Sequence, residues 1–296
     1  MVTPRESYEK ISPIAKFVAY LRTFTDIPFA KEMAEESGAE KIFARWAGEN
    51  SETLIRSAPR WEARYKLTNR IILQRGVTQI LEVAAGLSPR GLAMSENPAV
   101  VYVVTDLLNM LEQEKEIAEI ILSSIKARRP NLHFQAGNAL DHETLLNAST
   151  IFRANEPVAI ITEGLLPYLS RKEKEVLASN IHKIIGKHGG VWVTSDVETK
   201  QCVEEWTGSF AGVRKRLTGL SKLIGRDVES NMFADDNDLK QFFKKAGFEI
   251  NEERSHSSVV TELSSIRTLN LTKEEEAKMQ RALGIFKTLI LTSRNA

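Results

Sequence analysis

Along the first 75 positions, apolar residues recur at intervals of three and four, the period of a helix with one buried face. Ser12 followed by Pro13 reads as N-cap and first helical residue, after which Ile14, Phe17, Val18 and Leu21 line one side. A second such stretch opens near Pro59, carries Trp61, Tyr65, Ile71 and Ile72, and stops at Gly76. The pattern then shifts to short, mostly apolar runs at 79–83, 100–105, 133–135, 158–162 and 191–195, each followed by polar, helix-compatible sequence. Strands apolar on both sides belong in a parallel sheet covered on both faces. The expected fold is therefore α/β, a doubly wound, mostly parallel seven-stranded sheet of Rossmann-like type. After Asp196 the rhythm changes: 200–233 reads as a lid insertion, 238–250 as one more helix and strand, and 285–292 as a final strand following a charged helix near 273–281.

Composition narrows the function. Hydrophobic residues make up 42% and charged residues 27% of 296, which is enough apolar material for a large core and excludes a disordered chain. The 40 Lys+Arg against 39 Asp+Glu leave +1, so no global field draws the protein to nucleic acid or to an anionic membrane, and neither is expected as a partner. The single cysteine, Cys202, forms no internal disulfide, and the N-terminus lacks the layout of a signal peptide, so a cytoplasmic location is expected. The longest apolar runs, such as 100–104, fall far short of the roughly 20 residues that span a bilayer. Without repeats or linkers, the chain divides into a helical cap, 1–75, and a core, 76–296.

The most informative stretch is Gln79-Ile80-Leu81-Glu82-Val83-Ala84-Ala85-Gly86-Leu87-Ser88-Pro89-Arg90-Gly91, in which small residues at a strand-to-helix turn let a ligand approach the backbone. Gly86 and Gly91 have phosphate-loop spacing, but Leu92 and Ala93 stand where Lys and Ser/Thr are required. Pro89 stands where a dinucleotide fingerprint needs its third glycine. A hydrolase elbow also fails, because Pro89 has no N–H for an oxyanion; Ser88 reads instead as the cap of a helix that Pro89 opens. What remains is acid-x-small-x-Gly, Glu82-x-Ala84-x-Gly86, with Asp106 ending the next strand 106 − 82 = 24 positions on. This is the turn of class I S-adenosylmethionine (SAM) methyltransferases. A doubly wound sheet sets Asp106 beside it, able to accept hydrogen bonds from both ribose hydroxyls, although Asp106 also suits the N-cap of the helix around 108–121.

With Thr105-Asp106-Leu107 and Glu163-Gly164-Leu165-Leu166-Pro167-Tyr168-Leu169, this stretch resembles the leucine carboxyl methyltransferase superfamily, including its polyketide O-methyltransferase branch of the tetracenomycin type. Arg22 with Asp26-Ile27-Pro28-Phe29-Ala30, and Ala63-Arg64-Tyr65, are similar to further blocks, so the likeness runs from about residue 15 to 200. The resemblance implies SAM as cofactor and a set of residue roles. Arg64 would pair with the SAM carboxylate, which suits a guanidinium fork. Glu82, Ala84 and Gly86 would form the turn, Asp106 and Leu107 the ribose end of the second strand, Asn138-Ala139-Leu140 the adenine contact, and Glu163 and Gly164 the methionine and ribose side. The chain departs from the family at Ala84 (for Gly), at Ser88-Pro89 (for Asp-Thr) and at Asn138 (for Asp). An asparagine carbonyl still accepts from the adenine amino group, and a turn-forming role fits Asn138 equally.

Methyl transfer needs no metal. His133, His142, His182, His188 and His256 form no metal-ligand spacing and read as surface or turn residues, and no catalytic residue is identified. On the acceptor side, Tyr168, Trp206 and Phe210 suit a planar or apolar molecule, and Phe210, Val213, Leu217, Leu220 and Ile224 recur as one face of a lid helix. The implied activity is O-methylation of a carboxylate or hydroxyl on a small, polyketide-like acceptor. The alternatives are methylation of a protein C-terminal carboxylate, or SAM binding for regulation without turnover. The sequence implies no oligomeric state.

Overall fold

The computed structural model describes residues 12–207 and 225–294. Phe210 and the lid-helix pattern through Ile224 lie outside them. The helical start is built as α1 (Ser12–Arg22), α2 (Ala30–Glu36), α3 (Ala39–Ala47), α4 (Ser51–Ile55) and α5 (Ala58–Gln74). Pro59 occupies the first turn of α5, where its missing N–H has no partner to lose, and the chain leaves α5 through Gly76 at φ 62°. Strands and helices then alternate: β1 (Gln79–Val83), α6 (Arg90–Met94), β2 (Val101–Asp106), α7 (Leu108–Ser124), β3 (Leu132–Ala136), α8 (His142–Ala148), β4 (Val158–Thr162), α9 (Arg171–His188) and β5 (Gly190–Thr194). After β5 come α10 (Lys200–Thr207), α11 (Val228–Asn231), α12 (Asp236–Lys245), β6 (Phe248–Ser255), α13 (Ser264–Thr268), α14 (Lys273–Ile285) and β7 (Lys287–Ser293).

The strands form one sheet of seven in the order β3-β2-β1-β4-β5-β7-β6. β1 to β5 run parallel, and β7 lies antiparallel between β5 and β6. The strand order reverses between β1 and β4, which opens a crevice at the carboxyl ends of these strands. Side chains alternate across the sheet. Leu81, Val103, Ile160 and Leu289 meet α8, α9 and α12 through Leu145, Ile181 and Phe243. Ile80, Tyr102, Ile161 and Ile290 meet the other layer, which includes Ala19 of α1, Met33 of α2, Leu67 of α5 and Ile121 of α7. The N-terminal helices thus share one core with the sheet. Among the described residues, no helix is long and apolar enough to cross a membrane.

Gly91 sets the depth of the next feature. A Cβ there would sit 3.0 Å from Leu132 and 3.2 Å from Val104, so glycine lets α6 lie directly on β2 and carries Arg90 into the interior.

Candidate functional site

The crevice holds a cavity of about 630 Å³. The turn after β1 forms its floor, with Ala84 at φ 55° and Gly86 at φ 63°. A Cβ on Gly86 would stand 3.3 Å from that of Ala15 in α1. Ala84 adopts the left-handed conformation that a glycine takes freely, at a cost of about 1 kcal/mol. Asp106, at the end of β2, ties this turn to its own: Oδ2 accepts from Gly86 N at 2.8 Å and Oδ1 from Leu107 N at 2.7 Å. Leu107, not Asp106, holds the N-cap position of α7, so capping does not account for the carboxylate. Burial lifts the Asp106 pKa to about 6, against the pull of the Gly86 and Leu107 amides. Asp106 borders the cavity, and each of its oxygens keeps acceptor capacity.

Glu163, just past β4, is the hub of a buried ionic cluster. Its Oε1 accepts from Arg22 Nη2 at 3.0 Å and lies 3.2 Å from Arg64 Nε, while Oε2 accepts from Arg90 Nη2 at 2.6 Å. Arg90 is enclosed: Nη1 pairs with Glu82, Nε donates to Asn69 Oδ1 at 2.7 Å, and the guanidinium lies 4.7 Å over the Tyr65 ring. Burial would raise the Glu163 pKa, but Arg90, Arg64 and Arg22 together hold it well below the carboxylate range.

Glu82 departs from its expected place. It is 2% exposed, its oxygens are taken by Arg90 and by the Tyr102 hydroxyl at 2.6 Å, and it is not among the cavity walls. It faces the same side of β1 as Ile80, so the pleat turns it away from the cavity and toward Arg90; it supports the site from behind and is not a contact residue.

Arg22 and Arg64 do reach the cavity, each already paired with Glu163. Arg64 also lies 4.6 Å over the Trp61 ring and 3.9 Å from Asp196 Oδ1. Arg22, Arg64 and Arg90 against Glu82, Glu163 and Asp196 make a balanced cluster, 3 − 3 = 0. Asp196 meets Arg64 only at 3.9 Å, and its oxygens also accept from Gly164, Leu165 and Leu166 N at 2.6, 2.7 and 3.2 Å. Both guanidinium groups border the cavity, and a guanidinium fork is the kind of donor that pairs with a carboxylate.

Leu107, Asn138, Ala139, Leu140, Gly164 and Tyr168 all line the cavity as expected. Asn138 makes the local turn: its Oδ1 accepts from Leu140 N at 2.9 Å. That leaves the side-chain oxygen one lone pair toward a ligand. Ser88 is a weaker cap than expected, at 3.4 Å from Arg90 N, because Pro89 itself takes the N-cap position of α6. Trp206 belongs to α10, but its side chain lies outside the described residues, as does Phe210 altogether.

The reading of every histidine as surface or turn is corrected. His256 is buried beside Thr288, with Nε2 3.2 Å from its hydroxyl, and burial lowers its pKa to about 3. His188 is buried as well. His188, at the end of α9, packs edge-on to Phe152 with ring centroids 6.0 Å apart, and His256 lies 6.3 Å from the Phe286 ring. Among the described residues, no group of three or more His, Cys, Asp or Glu is arranged to hold a metal ion.

Arg22, Arg90, Asp196 and Lys174 were absent from the expected site. Arg22 and Arg90 lay inside the family-like blocks, and Asp196 follows a strand end as Asp106 and Glu163 do. The position of Lys174, in the first turns of α9, carried no such signal.

No protein-family profile matches the chain, and no curated protein matches it by sequence. Among solved structures it is similar to a DUF574 family protein of Streptomyces avermitilis, 14% identical, TM-score 0.54, over 95% of this chain and 97% of that one. It is also similar to an O-methyltransferase family protein of Burkholderia thailandensis, 12% identical, TM-score 0.46, over 84% of this chain and 62% of that one. A geranyl diphosphate C-methyltransferase of Streptomyces coelicolor, solved with S-adenosyl-L-homocysteine, is 12% identical with TM-score 0.42, over 73% of this chain and 69% of that one. The chain spans 62% of the length of the Burkholderia protein. At these identities the likeness speaks for the fold alone, and it rests on the Streptomyces avermitilis protein.

Proposed function

We propose that this chain binds SAM in the crevice and transfers its methyl group to an oxygen, carboxylate or hydroxyl, of a small-molecule acceptor. The observation that carries this reading is the convergence of five strand ends, β1 to β5, on one cavity, with Arg22 and Arg64 at one wall and Asp106 at another. Arg22 and Arg64 would hold the amino acid carboxylate, Asp106 the ribose hydroxyls, and Leu107 with Asn138, Ala139 and Leu140 the adenine. When bound, the sulfonium supplies an activated methyl group. The protein's share is to align the acceptor and to keep water out, for which the apolar walls at Phe17, Trp61, Tyr168 and Phe233 are suited.

The test is calorimetric titration with S-adenosyl-L-homocysteine, followed by transfer of radiolabelled methyl from SAM to a panel of acids and phenols. We expect saturable binding that weakens at least tenfold in Arg64→Met. A base-labile product would mark a methyl ester and a base-stable one an ether. Absence of any binding by the wild-type protein would overturn the reading.

A further inference from the structure

Lys174 is 2% exposed and borders the cavity. Its Nζ donates to Leu169 O at 2.5 Å and to Asn231 O at 2.6 Å, and lies 5.4 Å from the Phe233 ring centroid. An ammonium has three N–H donors, so one is left after these two bonds. Among the described residues no carboxylate lies within ion-pair distance of it, and the acids around it are committed elsewhere. Glu173 takes both Arg226 nitrogens, at 2.7 and 3.0 Å, and caps Ser170 N. Asp238 is held by Arg171 and by Ala234 N. Asp196 serves the three backbone amides that follow Glu163.

The position also works against a cation. Lys174 lies near the N-terminus of α9, where the helix dipole disfavours positive charge, and Arg171 is close by. A buried ammonium without a counter-ion costs several kcal/mol, and a purely structural clamp between two carbonyls would be met more cheaply by a neutral donor. We propose that the missing counter-ion is the methyl acceptor itself: Lys174 is its recognition cation, and the acceptor class is a carboxylic acid with an apolar body. This rests on the methyltransferase reading above, and deepens its choice between carboxylate and hydroxyl.

Burial, with Arg171 adding to it, lowers the Lys174 pKa to about 8. The charged groups that face it are Arg171 and Glu173 on its own helix, Asp196 after β5 and Asp238 on α12. A carboxylate bound to Lys174 favours the protonated amine, so affinity should be full at pH 7 and fall about tenfold by pH 9, as the protonated fraction drops from about 0.9 to about 0.1.

The experiment titrates the protein, with and without saturating S-adenosyl-L-homocysteine, with benzoate, phenylacetate, cinnamate and octanoate and with their primary amides. We expect at least one acid to bind tenfold more tightly than its amide. Lys174→Met should abolish that preference, and Lys174→Arg should keep it while removing its decline between pH 7 and 9. The affinity for S-adenosyl-L-homocysteine should stay within twofold in both variants. The proposal is overturned if no acid is preferred over its amide by the wild-type protein, or if the preference survives in Lys174→Met. Should Lys174→Met not fold, the wild-type pH profile and Lys174→Arg decide. A protein that binds no S-adenosyl-L-homocysteine rejects the methyltransferase reading by itself, and the acid–amide comparison without it still judges the lysine.

Discussion

Replacing Glu163 by Gln keeps the volume of the side chain and removes the charge at the centre of the arginine cluster. Arg22, Arg64 and Arg90 have side chains 7%, 10% and 0% exposed, and Glu163 itself 4%, so water does little to replace what is lost. An amide offers one acceptor oxygen in place of two and turns an N–H₂ toward guanidinium donors, leaving at least one arginine facing a donor. Neutralising one partner of a buried ion pair costs about 3–5 kcal/mol. For a chain of this size that corresponds to a fall in Tm on the order of 10 °C. Urea melts of Glu163→Gln should show the loss as a lower midpoint with an unchanged slope.

The pH dependence has a definite sign. Because the folded pKa of Glu163 is depressed, its contribution is complete above the unfolded value of about 4.3 and is lost as pH falls through the folded value. The gap between wild type and Glu163→Gln should therefore be constant from pH 7 to 5 and close only in stronger acid. A loss below about 1 kcal/mol, or a gap already closing between pH 7 and 5, would mean that water enters the cluster and that the dry-cavity argument is wrong.

Two further outcomes follow from the turn after β1. Ala84→Gly relieves a residue held at φ 55° and should raise the unfolding free energy by about 1 kcal/mol, read as a higher urea midpoint; a decrease would show that packing of the Ala84 methyl outweighs the strain. Asp106→Asn should weaken S-adenosyl-L-homocysteine binding by about 2–3 kcal/mol at pH 7 in calorimetry. In the wild-type protein, affinity should rise from pH 5 to 7 through the Asp106 pKa of about 6, because hydroxyl donors favour the ionised form, whereas the variant should be flat over that range. Equal affinities would remove Asp106 from the ribose.

The sheet was legible because its signal is local. Runs such as Val158–Thr162 are buried on both faces, and only a central strand of a covered sheet has that pattern. Asp106 was legible for a similar reason, since a strand and a helix of ordinary length return the chain to the neighbouring strand end. The roles behind the wall were not legible. Glu82 looks in sequence like a member of the ligand turn, yet the pleat of β1 directs it to Arg90 and Tyr102, and the direction of one side chain follows from how α6 settles onto β2. The three-arginine hub draws on Arg22, Arg64 and Arg90, from helices α1, α5 and α6, around an acid just past β4; Arg22 stands 141 residues from Glu163 in the chain. Lys174 is the extreme case. A lysine near the start of a helix is ordinary in sequence, and only the packing of α9 against the loop before it and against α11 buries its ammonium with two carbonyls and, among the described residues, no acid at ion-pair distance. Local periodicity dictates elements because each residue acts through its neighbours in the chain, whereas the charge balance of a buried site is a sum over residues that meet only once the chain has folded.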